Sequence, residues 1–343
     1  MTTAPLRLRL DAAALADNWR LLDAMSGRAA CGAAVKADGY GLGARRVAER
    51  LAAAGCRDFF VATWAEAEAL APLGLQVSVL HGVRGEDMAA ARAGFARPVL
   101  STSAQIARWR EAGGGICDVM VDTGMNRLGV APADVAGGLL DGLAIETLMS
   151  HLACADEDVA MNARQRDAFA ALAGATGARR MSLANSAGIA LGPDYAFDLT
   201  RPGLALYGGR QRAGHAAIRQ VVTPEAQVLQ RRTVPAGQTV GYNATWTAPA
   251  DSEVAILNLG YADGYFRGFS SRGAALVGDL RLPVIGRVSM DLIAVLVDTA
   301  PEIAEGDWLA LDYDLPAAAA TSGMSQYELI TGLGSRFQRV WTD

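Results

Sequence analysis

Between about residues 29 and 207, short apolar runs of strand length alternate with amphipathic segments of helical period, and this alternation points to a parallel sheet. The predicted strands are Ala30–Val35, Phe59–Ala62, Gln76–Leu80, Arg97–Leu100, Cys117–Val121, Ile145–Met149, Arg180–Leu183 and part of Leu199–Leu206. The segments between them include Ala44–Ala54, Ala65–Ala71, Glu86–Ala93, Ser103–Glu111, Pro132–Leu140 and Ala160–Leu172. Eight strands suggest a closed (β/α)₈ barrel, with an open doubly wound sheet as the other arrangement.

The pattern changes near Val222-Thr223-Pro224. Beyond it lie short β-type runs broken by Gly and Pro: Gln227–Arg232, Val254–Leu259, Arg272–Val277, Arg281–Ile285, Leu292–Val297 and Trp308–Leu311. Pro316–Thr321 (PAAAAT) reads as a small-residue loop. The expected organisation is a barrel over residues 1–223 and a mostly-β domain over 224–343, with the first few residues packing against the second domain.

Charge and composition remove several function classes. Net charge is −5 over 343 residues with no basic block, which disfavours nucleic acid as a partner. No run reaches the roughly 18 apolar residues of a membrane helix, and the start of the chain does not read as a secretory signal. Cys31, Cys56, Cys117 and Cys154 lack metal-type spacing and read as reduced thiols of a cytoplasmic protein. Three histidines, His81, His151 and His215, are too few for a histidine-rich metal site, and no metal is expected. Of the 31 basic residues, every one but Lys36 is arginine. Arginine does not lose its proton or act as an amine nucleophile, whereas lysine does. Position 36 therefore reads as a place where an amine is required.

In a (β/α)₈ barrel the active site forms at the C-terminal ends of the strands. Lys36 follows the first predicted strand, Arg127 the fifth and His151 the sixth; Asn185 and Ser186 follow the seventh, and Arg201 and Gly203 flank the eighth. Any one of them alone reads equally well as a scaffold residue, but their collection on one rim does not read as coincidence. Loops after strands seven and eight commonly bind phosphate, Ser186 opens a helix, and Pro202-Gly203 lets backbone approach a ligand. A lysine across the rim from a phosphate site suggests pyridoxal phosphate held as a Schiff base. The β domain adds Tyr261 in LGYADGYFRG and Met290-Asp291 in IGRVSMD.

VKADGYGLG, DTGMNRLG, SHLACADE, ANSAG, RPGLALYG, GYADG and GRVSMD resemble, in order, the motifs of alanine racemases, and the resemblance runs from about Leu6 to the end of the chain. It implies a barrel and a C-terminal β domain joined in a homodimer with shared sites. It implies that Lys36 carries pyridoxal 5'-phosphate and that Tyr40, Ser186, Gly203, Leu204 and Tyr207 surround the phosphate. Arg201 would face the pyridine nitrogen. Arg127 and the Met290 N–H would bind the substrate carboxylate. Tyr261 would enter the partner's site beside His151, with Asn185 and Asp291 in support. Racemisation removes the α-proton from one face and returns one to the other. Two bases, an amine and a phenol, do this once their proton affinities are tuned. The implied role is supply of D-alanine for peptidoglycan, or alanine catabolism.

Two departures from the family pattern stand out. Met120 or Val121 takes the place where many relatives carry a carbamylated lysine before DTGMNR, and GLGSRFQR places Ser335 where many have a tyrosine at the substrate entrance. The second leaves a broad-specificity or serine racemase open. A related decarboxylase is disfavoured, because no cysteine follows Cys154. A cofactor-storing barrel is disfavoured by the second domain.

Overall fold

A computed structural model describes residues 4–342. Leu15–Arg219 forms one unit; the chain from Gln220 onward forms the other, together with the segment that ends at Ala14. The strand β1 (Leu6–Asp11) belongs to this second unit.

The first unit holds β2 (Ala30–Cys31), β3 (Ala33–Ala34), β4 (Asp58–Val61), β5 (Gln76–Val79), β6 (Arg97–Leu100), β7 (Cys117–Met120), β8 (Ile145–Met149), β9 (Arg180–Ser182) and β10 (Leu199–Thr200). β3 to β9 pair in parallel in chain order. β10 pairs in parallel with β2. On its other side the Asp198 N–H donates to Met181 O and the Arg201 N–H to Ala184 O, so the eighth position closes the ring.

The predicted first strand, Ala30–Val35, is divided at Gly32, and the reason is steric. A Cβ there would lie 2.8 Å from Asp58 O and 2.9 Å from the Phe60 ring. Only glycine lets β4 and β10 approach so closely. The strands are near-continuous apolar runs buried on both faces, as Phe59, Phe60, Val61, Val99 and Leu100 show. The N-terminal ends of the strands carry ion pairs. Arg180 bonds Asp58 at 2.7 and 3.1 Å, and fully buried Asp118 accepts from Ser78 Oγ at 2.6 Å and the Thr147 N–H at 3.0 Å. The opposite, C-terminal rim is left for chemistry.

The second unit contains β11 (Val222–Val234), β12 (Thr239–Val240), β13 (Trp246–Thr247), β14 (Ser252–Leu257), β15 (Ala274–Val277), β16 (Leu280–Ile285), β17 (Ile293–Leu296), β18 (Trp308–Leu311) and β19 (Gln338–Thr342). Its main sheet runs β14-β17-β16-β15-β18-β11-β1-β19, and a second pairing of β11 with β14 curls it, with a register irregularity between Val228 and Gln230. β11 runs straight through Thr223-Pro224, opposite Arg9 and Leu8.

One expectation is overturned. Residues 316–321 are not a loop but part of the helix Leu315–Ser322. Asp314 caps it, Pro316 sits in the first turn, and Gly323 ends it in the left-handed conformation. Four successive alanines have the highest helix propensity available. No helix among the described residues is long and apolar enough to cross a membrane.

Candidate active site

Lys36 leaves the top of β3, directly after Val35, whose N–H donates to Phe60 O at 2.8 Å. The next four residues, Ala37, Asp38, Gly39 and Tyr40, all have φ between 52° and 63°. The chain therefore makes a left-handed turn here, which brings Tyr40 back over the barrel. The Tyr40 ring stacks on Tyr207 with centroids 4.6 Å apart. Tyr207 is fully buried and its hydroxyl donates to Ala34 O at 2.9 Å. Its phenol is thus engaged, and it backs Tyr40 rather than offering a donor of its own.

Across the rim, Ser186 Oγ accepts the Gly203 N–H at 2.9 Å and the Ala205 N–H at 3.1 Å. A Cβ on Gly203 would lie 2.2 Å from the Tyr40 hydroxyl. The Leu204 N–H makes no hydrogen bond among the described residues. Two hydroxyls and the Leu204 N–H therefore converge on one small space, a donor set suited to a phosphate. Asn185 does not join it: its side chain caps the helix Ser186–Ile189 by accepting the Gly188 N–H at 2.9 Å.

Arg201 is buried, and its guanidinium donates to Ser182 Oγ and, at 2.6 Å, to Ser150 O. Burial pushes its pKa down to about 10, so it stays protonated at neutral pH. Burial is the largest cause holding His151 down at about 3; the nearby Arg201, Arg127 and Lys36 add to it. His151 is thus a neutral hydrogen-bonding group, not a second cation. Lys36 is also held below the usual lysine value, first by burial and then by Arg127, with Glu66 opposing. These effects bring Lys36, Arg127, Arg201 and His151 into one electrostatic neighbourhood, cationic overall and suited to an anionic ligand.

Arg127 lies in the loop after β7. The Asp122 carboxylate accepts the N–H groups of Gly124 and Met125 at 2.8 Å each, and that of Arg127 at 3.0 Å. Asp122 therefore shapes the loop's backbone rather than pairing with the guanidinium. Met120, at the end of β7, is buried. Gln165 ties the next loop, donating to His151 O and accepting the Ala153 N–H.

In the second unit, the Tyr261 N–H donates to Ser289 O and the Ala262 N–H to Met290 O, both at 3.0 Å. A Cβ on Gly260 would lie 2.2 Å from Met290 O, so the loops carrying Tyr261 and Met290 touch backbone to backbone. Buried Asp263 accepts the Gly260 N–H and a bidentate pair from Arg336 at 2.6 and 2.7 Å; Arg336 also reaches Asp291 at 2.7 Å. Arg267 lies over the Tyr261 ring at 5.2 Å. Met290 is 53% exposed.

Asp122, which the sequence offered with Asn126 as a partner for the Arg127 side chain, had a signal for its backbone role in its spacing before the amides it binds. Asp263 and Arg336 are among the supporting residues that the sequence did not single out. Asp263 had a signal as the third residue after Gly260. Arg336 had none, being 73 residues from its partner.

The site fits pyridoxal phosphate: an amine for its aldehyde, donors for its phosphate, and a buried guanidinium for its ring nitrogen. Comparison with known proteins agrees. The models for "Alanine racemase, N-terminal domain" and "Alanine racemase, C-terminal domain" match residues 10–211 and 221–341. Alanine racemases of Acidiphilium cryptum and Cereibacter sphaeroides are 44% and 46% identical, covering 97% and 99% of this chain and 98% of each relative. The crystal structure of alanine racemase from Bartonella henselae with covalently bound pyridoxal phosphate superposes with a TM-score of 0.90 at 31% identity, covering 99% of this chain and all of that one. With both domains matched and the cofactor's donors assembled on one rim, this chain belongs to the alanine racemase family of pyridoxal-phosphate enzymes.

Proposed function

We propose that this chain interconverts L- and D-alanine in the cytoplasm, as a homodimer in which Lys36 of one subunit works with Tyr261 of the partner subunit. The observation that carries the reading is the sole lysine, set among Arg127, Arg201 and His151 and across the rim from the Ser186–Gly203–Tyr40 donor set. The family, shown by both domain models, supports the substrate. Buried free thiols at Cys31, Cys56 and Cys117 fit a reducing compartment.

In this reading Tyr40, Ser186 and the Leu204 N–H would hold the phosphate, with Gly203 allowing the close approach, and Arg201 would hold the pyridine nitrogen. The bound cofactor supplies the electron sink that makes the substrate's α-proton removable. Arg201 keeps its proton, so it would meet the ring nitrogen as a hydrogen-bond donor and leave it unprotonated, which would limit side reactions. Arg127 orients the substrate carboxylate, together with the Met290 N–H. Lys36 Nζ takes or returns the proton on one face, the D-alanine side. The Tyr261 hydroxyl does so on the other. A depressed lysine pKa raises the fraction of neutral amine available as base. His151, being neutral, contributes hydrogen bonding without charge.

The test is incubation of the purified enzyme with a panel of L-amino acids, followed by chiral chromatography. The expected result is D-alanine from L-alanine, with L-serine far slower. Faster serine turnover would select the broad-specificity reading, and no racemisation of any member would overturn the proposal.

A further inference from the structure

Three of the four left-handed residues after Lys36 carry a Cβ, and in that conformation the Cβ crowds the following carbonyl. Such a turn persists only if its surroundings hold it. Part of the hold is internal: the Gly39 N–H donates to Val35 O, the Gly41 N–H to Ala37 O, and the Ala44 N–H to Asp38 Oδ1. The rest comes from Glu66. Its Oε1 accepts the Ala37 N–H at 2.6 Å, one residue beyond Lys36. Its Oε2 accepts the N–H groups of Ala62 at 2.7 Å and Thr63 at 3.1 Å, in the loop after β4. Thr63 Oγ1 returns a bond from the Glu66 N–H, completing a capping box. An ordinary capping box ends there; this carboxylate reaches further, to the neighbouring loop.

We propose that Glu66 is a positioning residue for Lys36: one carboxylate clamps the Lys36 turn to the rim of β4 and sets a negative charge beside the amine. The charged groups acting on that amine are Glu66, from the first turn of the helix Trp64–Leu70 after β4, and Arg127, from the loop after β7. Of these only Glu66 favours the protonated form. The clamp thus fixes where the amine stands and moderates how far burial and Arg127 acidify it. The proposal rests on Lys36 being the cofactor's lysine.

Because Lys36 is the sole lysine, lysine labelled with carbon-13 at Cε gives one resonance in the full-length chain stripped of cofactor. Glu66→Gln keeps an acceptor for the Ala37 N–H but removes the charge. Its resonance is expected to titrate at lower pH than wild type, and its amine to acylate about three- to tenfold faster at neutral pH, the range that removing one nearby charge gives. Glu68→Gln, an exposed site on the same helix, is expected to leave both unchanged. In Glu66→Ala, where it folds, the Ala37 amide is expected to exchange faster with solvent. An unshifted Lys36 titration in Glu66→Gln overturns the proposal, even if the melting temperature falls, because Glu66 would then be only a helix cap. Borohydride trapping of cofactor in Lys36→Ala separately overturns the reading of Lys36 while leaving the Glu66 titration result intact.

Discussion

Gly203→Ala tests how tightly the phosphate cradle is built. The added Cβ would stand 2.2 Å from the Tyr40 hydroxyl, 3.0 Å from Tyr40 Cζ and 3.5 Å from Ala34 Cβ. Ordinary contact needs a shift of about 1 Å. Tyr40 cannot easily give it. Its ring is 5% exposed, stacked on Tyr207, and anchored at the end of a left-handed turn. Overpacking of this kind costs about 1–3 kcal/mol. Loss of one or two hydrogen bonds to a charged phosphate costs about 1.5–3 kcal/mol each, which is roughly a ten- to hundredfold or greater weakening of cofactor binding. The assay is titration of cofactor-free protein with pyridoxal phosphate, read by absorbance, beside a thermal melt. Gly203→Ala should melt lower and bind the cofactor at least about tenfold more weakly. Adding Tyr40→Phe removes the clashing oxygen and should recover part of the melting temperature but not the affinity. Wild-type affinity and stability in Gly203→Ala would refute the close approach.

Other consequences follow from the same geometry. Lys36→Ala should leave no borohydride-reducible bond to the cofactor, since no second lysine exists; a reduced adduct in that variant would remove Lys36 from its role. Arg336→Ala strips the bidentate partner from fully buried Asp263. Arg336 is itself 47% exposed at its side chain, so the expected loss is about 2–3 kcal/mol in urea unfolding, below that for a fully buried pair, together with lower kcat from the loosened Tyr261 loop. His151 has a folded pKa of about 3 against an ordinary 6.5, so the unfolded chain binds more protons between those values and stability falls as pH drops through that window. His151→Gln should therefore lose less unfolding free energy than wild type between pH 7 and 4.5, and equal losses would contradict the assignment. With a methionine at position 120 and no spare lysine, activity should not change when carbon dioxide and bicarbonate are removed; a loss would show that a carbamate forms after all.

Elements set by local pattern were legible in the sequence. Arg97–Leu100, Ile145–Met149, Trp308–Leu311, Ala44–Ala54 and Ser103–Glu111 all stand where period and breakers put them. β1 and β19 were not read, because Leu6–Asp11 finds its partners near 222–226 and 338–342, and no local signal encodes a pairing at that range. The helix Leu315–Ser322 was misread because an alanine run has no apolar period, although its Asp314-Pro316-Gly323 boundary signals were present. In the site, the residues proposed to meet ligand announced themselves by type and, on the barrel, by position at strand ends. The residues that hold them did not: Glu66, Gln165 and Arg336 act through backbone atoms or charges far along the chain.

The central claim is a site built from Lys36 of one subunit and Tyr261 of the other, and mixing inactive variants tests it most directly. Lys36→Ala and Tyr261→Ala homodimers should each be nearly inactive. When the two are mixed in equal amounts under subunit exchange, half of the dimers are hybrids, and each hybrid has one intact site of two. Alanine racemisation should therefore return to about one quarter of the wild-type rate. Verified exchange with no recovered activity would contradict the shared two-base site.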